Sequence, residues 1–154
     1  MKQVLVSACL LGDRVRYDGR EKGVQNSALA RWLAEGRVVK VCPEVSGGLP
    51  VPRPAAEQQP DGRVLTNTGL DVTLAFTRGA AEALRLVRLH GITVAVLKEG
   101  SPSCGSGFIY DGSFSKTKRA GEVGETTRVL RANGVAVFSE LQWAEADAVI
   151  SAGD

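Results

Sequence analysis

Short apolar runs bounded by turn residues recur along the chain. They cover residues 4–6, 38–41, 92–97 and 135–138, and the third run is rich in β-branched residues. A run of this kind is typical of a strand that is buried on both faces of a sheet. The pattern therefore predicts four buried strands.

Segments in which apolar residues recur at helical spacing separate these runs. Helices are predicted after the capping residues Asn26 and Thr77 and over 123–133 and 140–149. Strands that alternate with helices imply βαβ units and a mostly parallel sheet. We therefore expect an α/β fold, with residues 1–154 forming a single three-layer domain that has helices on both faces of the sheet.

A proline-rich segment interrupts this alternation. Residues 43–60 hold five of the six prolines of the chain. Because proline lacks the backbone donor that helices and central strands use, we expect this segment to be a long, stiffened loop. Residues 61–76 carry turn signals and give no clear prediction of secondary structure. Loops as long as residues 43–60 inside compact domains are commonly functional or disordered.

The amino-acid composition limits the kinds of molecule that the protein is expected to bind. The chain has 154 residues, of which 44% are hydrophobic, and its 19 basic and 17 acidic residues give a net charge of +2. This balance provides no bulk attraction to long RNA or to acidic lipid, so we expect a small-molecule ligand. No apolar stretch approaches the roughly 20 residues that cross a membrane, and we expect a cytoplasmic protein. The oligomeric state cannot be inferred from the sequence.

Each of the three cysteines follows a predicted strand. Cys9 comes just after the first strand, Cys42 ends the second, and Cys104 lies a few residues beyond the third. Because parallel strands end at one edge of a sheet, where ligands bind, we expect the three thiols to gather at that edge. The alternative for any one of them is ordinary packing in the core.

The set of residues available to such a site restricts what it can bind. His90, the single histidine, closes the helix before the third strand and is expected at the opposite edge, roughly 20 Å away at ~3.3 Å per residue. A zinc site with a histidine ligand and a Cys–His nucleophile are therefore not expected. Three thiolates without a fourth protein ligand suit an iron–sulfur cluster with one open iron, a position that Lewis-acid catalysis requires.

Polar groups adjoin the cysteines in sequence. Glu44 lies close to the second cysteine, where it could transfer protons, and Ser101 and Ser103 place hydroxyl groups beside the third. The structural alternatives are a solvated glutamate and serines that cap backbone groups. Lys98 and Glu99 are expected to be an ordinary ion pair or solvated charges at the end of the third strand.

Four blocks of distinctive sequence run in order over residues 4–140. They are VSACLLG followed by VRYDG, CPEVSGGL followed by PRP, GLDVT, and KEGSPSCG. These blocks resemble the thiouracil desulfidase family in its standalone form. The strings are long and specific, and they cover nearly the whole chain.

The resemblance implies a cofactor and a reaction. The cofactor is a [4Fe-4S] cluster bound by Cys9, Cys42 and Cys104. The reaction is non-redox removal of sulfur, as sulfide, from a thiolated uracil base or nucleotide, with Ser101 and Glu44 assisting. Two alternatives stay open: a metal-free sulfurtransferase that passes persulfide between cysteines, and a non-enzymatic iron–sulfur binding module.

Overall fold

Strands and helices alternate along most of the chain. A computed structural model describes residues 2–20 and 23–154. A 3-10 turn, Ala8–Leu11, follows the first strand directly. In chain order, the strands and helices are β1 (Val4–Ser7), α1 (Ser27–Ala34), β2 (Val38–Val41), α2 (Pro43–Ser46), β3 (Ala56–Gln58), β4 (Val64–Thr66), α3 (Thr73–His90), β5 (Val94–Leu97), β6 (Phe108–Tyr110), β7 (Lys118–Ala120), α4 (Glu125–Ala132), β8 (Ala136–Ser139) and α5 (Trp143–Ala152).

The central sheet is parallel throughout. Its strand order is β2-β1-β5-β8, with Val4 opposite Val38 and Val94 opposite Ala136. All the residues of β1 and β5 are buried, as expected for the middle strands of a sheet that is covered on both faces. The predicted α/β class and parallel sheet are confirmed.

Helices cover both faces of this sheet. On one face, α1 and α5 pack over Val4 and Val6, and Trp32 of α1 is completely buried there. On the other face, α3 and α4 pack over Leu5 and Leu97. Alternate residues of a strand point to opposite faces, so β1 contributes to both cores. No helix in the described part of the chain is both long and apolar enough to span a bilayer.

The proline-rich segment is more structured than the sequence predicted. Residues 43–60 contain the short helix α2 and the strand β3, which pairs with β4 in an antiparallel hairpin. The prediction of a long loop that is neither helix nor central strand is therefore wrong at α2, whereas β3 lies outside the central sheet. Pro43 occupies the first turn of α2, where its missing N–H would have had no partner in any case. A second hairpin, β6–β7, occupies a polar stretch for which no strands were predicted.

Helix α3 begins earlier than the sequence predicted. Its first residue is Thr73, whereas Thr77 was expected to be the cap. The hydroxyl of Thr77 instead donates to the Thr73 carbonyl within the first turn, at 3.1 Å. The Asp71 carboxylate accepts the Thr73 backbone N–H at 2.9 Å, which satisfies one of the free donors at the start of the helix.

Helix α2 lies against α3 at two glycines. A Cβ atom at Gly79 would collide with the carbonyl group of Pro43, and one at Gly47 would collide with the carbonyl group of Ala75. The absence of side chains therefore lets the two backbones touch. This contact fixes the position of α2, and with it the residues at the start of α2.

We expect Gly79→Ala to destabilise the protein by about 2–3 kcal/mol, because the new methyl group meets a backbone carbonyl that cannot rotate away. This cost exceeds the ~1 kcal/mol by which alanine is favoured over glycine inside a helix. Urea unfolding measures the change, with Thr77→Ala as a control at an exposed position of the same helix. A Gly79→Ala protein as stable as the wild type would show that the contact between α2 and α3 is not tight.

Candidate functional site

A cavity of about 560 Å³ opens at the carboxyl edge of the central sheet. Residues that follow β1, β2 and β5 line it, together with residues of the two hairpins. The predicted cluster ligands and assisting residues all line it, namely Cys9, Cys42, Cys104, Glu44 and Ser101, whereas Ser103 is buried and is not among the lining residues. His90, by contrast, ends α3 on the side where β5 begins.

The three thiols reach the cavity from three different strand ends. Cys9 lies in the 3-10 turn after β1, Cys42 is the residue before α2, and Cys104 lies in the turn after β5. All three are free thiols, and Cys9 and Cys104 are buried. Among the described residues, no three His, Cys, Asp or Glu side chains are grouped so as to hold a single metal ion. The thiols therefore line the cavity without converging on one point.

Burial raises the pKa of each thiol. The pKa of Cys9 is raised to about 11 and that of Cys104 to about 12, with loss of hydration as the main cause. Burial also raises the pKa of Cys42, although the nearby N–H groups of Val45 and Glu44 oppose this effect. These N–H groups do not form a capping hydrogen bond with the sulfur. Without a metal, the thiols are protonated at neutral pH, whereas metal coordination would deprotonate them.

Ser101 organises the turn that carries Cys104. Its Oγ accepts the backbone N–H of Cys104 at 2.7 Å and that of Ser103 at 3.2 Å. The capping role considered from the sequence is therefore present. Because the two N–H groups occupy the acceptor positions of this hydroxyl, its own proton remains available to a partner in the cavity.

Glu99 holds the same loop from the other side. Its carboxylate accepts the backbone N–H groups of Gly100, Ser106 and Gly107 at distances of 2.8–3.1 Å. Of the two expectations for Lys98 and Glu99, an ion pair or solvated charges, the ion pair is wrong, because these N–H groups surround the Glu99 carboxylate. The Lys98 ammonium instead donates to the Glu99 carbonyl at 2.9 Å and lies 3.8 Å from Glu140.

We expect Glu99→Gln to destabilise the protein by about 1 kcal/mol at neutral pH, because an amide oxygen replaces a charged acceptor. Partial burial raises the pKa of Glu99, but the backbone donors outweigh it and lower this pKa overall. Because the pKa of Glu99 is lower in the folded state, the ionised carboxylate stabilises the fold at pH values above its unfolded-state pKa of about 4.3. This contribution is lost as the pH falls through the folded-state pKa. In urea unfolding, the difference from wild type should therefore shrink below about pH 4. A difference that stays constant with pH would contradict this role.

A buried cation accompanies Glu44. The Arg53 guanidinium lies 3.6 Å from the Glu44 carboxylate, and the Arg53 side chain is only 4% exposed. It also donates to the Pro50 carbonyl at 3.2 Å, while its Nε has no partner among the described residues. Burial raises the pKa of Glu44, and Arg53 opposes this increase. The result is a desolvated carboxylate at the wall of the cavity, next to a positive charge.

Aromatic side chains form another part of the wall, which the sequence analysis missed. Tyr17, Tyr110 and Phe114 line the cavity. Each tyrosine begins a Tyr-Asp-Gly string, and in both strings the aspartate accepts the backbone N–H two residues later at 2.9 Å. The repeated string is therefore the sequence signal that could have identified the two tyrosines.

Comparisons with known proteins identify the family to which this chain belongs. The family model for 2-thiouracil desulfurase matches residues 4–142. The uncharacterized protein YbbK of Bacillus subtilis (strain 168) is 37% identical over 146 residues, which is 89% of this chain and 95% of that protein. A solved structure of the [4Fe-4S]-dependent thiouracil desulfidase TudS is 53% identical, with a TM-score of 0.95 over 98% of this chain and 99% of that chain. This chain therefore belongs to the 2-thiouracil desulfurase family.

Proposed function

We propose that this chain binds a [4Fe-4S] cluster through Cys9, Cys42 and Cys104 and removes sulfur from thiolated uracil compounds. The observation that carries the proposal is that three thiols from separate strand ends line one cavity with a carboxylate and a hydroxyl. The resemblance to a solved [4Fe-4S]-dependent thiouracil desulfidase at 53% identity supports both the cofactor and the substrate class.

The residues present fit such a cluster. Thiolates are the ligands that iron–sulfur clusters favour, and a cubane is bound at separate corners rather than at one point. Three protein thiols would leave one iron without a protein ligand. A cavity of about 560 Å³ also lies in the range of about 300–1,000 Å³ that holds small-molecule ligands.

The proposed reaction converts a thiocarbonyl and water into a carbonyl and hydrogen sulfide, with no net transfer of electrons. A cluster held by the three cysteines would supply a Lewis-acidic iron for the soft thiocarbonyl sulfur, and this would make the attached carbon more electrophilic. A C–O bond forms as water attacks this carbon, and the C–S bond breaks as sulfide leaves. Two protons must move from the water during this exchange.

Glu44 is the proposed proton carrier. Its carboxylate accepts one proton from the water as it attacks and a second from the resulting hydroxyl group as the carbonyl forms. It passes each proton in turn to the departing sulfur, which leaves as hydrogen sulfide. A desolvated carboxylate is a stronger base than a solvated one, and burial raises the pKa of Glu44 in this way. The Arg53 guanidinium, 3.6 Å away, opposes this increase in pKa by favouring the ionised carboxylate, and it orients the carboxylate.

Ser101 is the proposed hydrogen-bond donor. Because its oxygen already accepts two backbone N–H groups, the hydroxyl acts towards the substrate as a donor rather than as a base. In this position it stabilises the negative charge that develops on the pyrimidine ring as water attacks.

We expect Ser101→Ala to retain the cluster but to lower kcat by about 100-fold, the typical effect of removing one donor to a developing charge. Loss of the cap should also cost about 1 kcal/mol of stability. Iron content and steady-state rates measure the two effects, with Ser106→Ala as a control in the same loop. Full activity in Ser101→Ala would remove this hydroxyl from the mechanism.

The remaining walls suit a pyrimidine. Tyr17, Tyr110 and Phe114 offer flat apolar surfaces on which a base can stack. Arg16, Lys98 and Lys116 line the same cavity, so a thiouridine nucleotide is as acceptable as the free base. The size of the cavity favours these small molecules over long RNA.

The two alternatives fit the site less well. A persulfide relay needs a thiol whose pKa is lowered, whereas burial raises the pKa of all three cysteines. A non-enzymatic module has no need for an open cavity that carries a carboxylate and a hydroxyl.

Turnover in isotopically labelled water tests the proposed reaction. Reconstituted protein should release one sulfide for each thiouracil consumed and place the water oxygen in the uracil product, without an added electron donor. A requirement for a reductant, or sulfur retained on a cysteine, would contradict the proposal.

A further inference from the structure

We infer that the buried hydroxyls of Ser103 and Ser7 hydrogen bond to the Cys104 sulfur, and that they set the reduction potential and the retention of the cluster. The inference rests on the proposed function, since it takes Cys104 as a cluster ligand. It concerns serines that have no part in the proposed proton transfers.

The two hydroxyls approach one sulfur atom. The Ser103 Oγ lies 3.0 Å from the Cys104 Sγ, and the Ser7 Oγ lies 4.0 Å from it. Ser103 is completely buried and Ser7 is only 3% exposed, so water does not compete for either hydroxyl. A metal-bound thiolate carries no proton, and both serines must then be the donors.

The Ser7 hydroxyl and the Ser103 backbone are each held by neighbouring groups. The Ser7 Oγ accepts the backbone N–H of Lys98 at 2.9 Å, which leaves the hydroxyl proton free for the sulfur. The Ser103 carbonyl accepts the N–H of Thr126 at 2.9 Å, which ties this residue to the start of α4. A Cβ atom at Gly124 would collide with the Ser103 carbonyl carbon, so the backbones also pack closely here.

Cys104 itself is held by the same elements. Its carbonyl accepts the Thr127 hydroxyl at 3.0 Å, and its N–H donates to Ser101 at 2.7 Å. The sulfur, its donors and their backbone are therefore placed before any cofactor binds. This arrangement is the structural basis for treating the serines as positioning residues for the Cys104 ligand.

Donors of this kind have two consequences for a bound cluster. They offset negative charge on the ligand sulfur, which favours the reduced form and raises the reduction potential. They also restrain the thiolate, so it should exchange more slowly with a competing chelator. Neither consequence requires the catalytic carboxylate.

The test compares wild type, Ser103→Ala and Ser7→Ala after anaerobic reconstitution. Ser106→Ala is the matched control, because Ser106 lies two residues after Cys104 and its hydroxyl donates to Glu99 at 3.3 Å. Iron content, the midpoint potential from electron paramagnetic resonance, and the rate of iron loss to a chelator are measured for each protein. Activity is not needed for any of these readouts.

We expect Ser103→Ala to shift the midpoint potential to a more negative value and to lose iron several times faster than wild type. Ser7→Ala should show a smaller shift in the same direction, because its contact is 4.0 Å rather than 3.0 Å. If Ser103→Ala does not fold, the midpoint potential and iron-loss rate of Ser7→Ala, compared with those of wild type, test the inference. A potential and a release rate equal to those of wild type would overturn the inference, whereas a wild type that binds no cluster would contradict the proposed function itself.

Discussion

Cys9→Ala, Cys42→Ala and Cys104→Ala proteins should each lose the cluster and, with it, essentially all desulfurisation. Each cysteine reaches the cavity from a different strand end. The single histidine of the sequence, His90, ends α3 and does not line the cavity, so it does not replace a lost thiolate. A cluster that is bound by only two protein ligands should release its iron readily. Iron and sulfide content per chain, together with the rate of sulfide release, measure the effect.

The same variants separate the proposed function from a persulfide relay. A relay uses one attacking and one resolving thiol, so at least one of the three variants would stay active. Far-ultraviolet circular dichroism should show that each variant remains folded, because these thiols sit at the wall of a cavity. A colourless variant that retains activity would contradict cluster-dependent catalysis.

Glu44→Gln should retain the cluster and lower kcat by about 100- to 10,000-fold, the range typical of losing a positioned acid–base group. The amide has the same shape as the carboxylate but cannot accept a proton. Steady-state kinetics at matched iron content measure the loss. A change confined to KM would indicate that Glu44 binds substrate without transferring protons.

A control variant and a variant of the partner cation accompany the Glu44→Gln experiment. Glu122→Gln removes an exposed carboxylate that lies 3.9 Å from Arg119 and should leave activity unchanged. Arg53→Lys keeps a positive charge beside Glu44 but loses the forked guanidinium, so it should have an intermediate effect on kcat. Wild-type activity in Glu44→Gln would remove this residue from the mechanism.

The central sheet could be predicted because burial on both faces leaves a strong pattern. The boundaries predicted for the strands over 4–6 and 38–41 agree with those of β1 and β2 to within two residues. The short elements left no such pattern: α2 has four residues, and β3 has three, too few for a period to emerge. Tertiary contacts, such as the packing of α2 on Gly79, determine the secondary structure of those segments instead.

The location of the cysteines could be predicted because parallel topology brings strand ends together. Cys9 and Cys104 are far apart in sequence, and the sheet order alone places them at one edge. The partners of Glu44 and Glu99 could not be predicted, since they depend on how individual loops fold. Arg53 reaches Glu44 only through the Pro-rich loop between α2 and β3, and Glu99 binds N–H groups of the turn that follows it.

The proposed function is tested most simply by an iron and sulfide count with a visible absorbance spectrum on anaerobically reconstituted protein, followed by addition of thiouracil. We expect a brown protein with about four irons and four sulfides per chain that releases sulfide from thiouracil. A folded, colourless protein that binds no iron after reconstitution would contradict the proposed function.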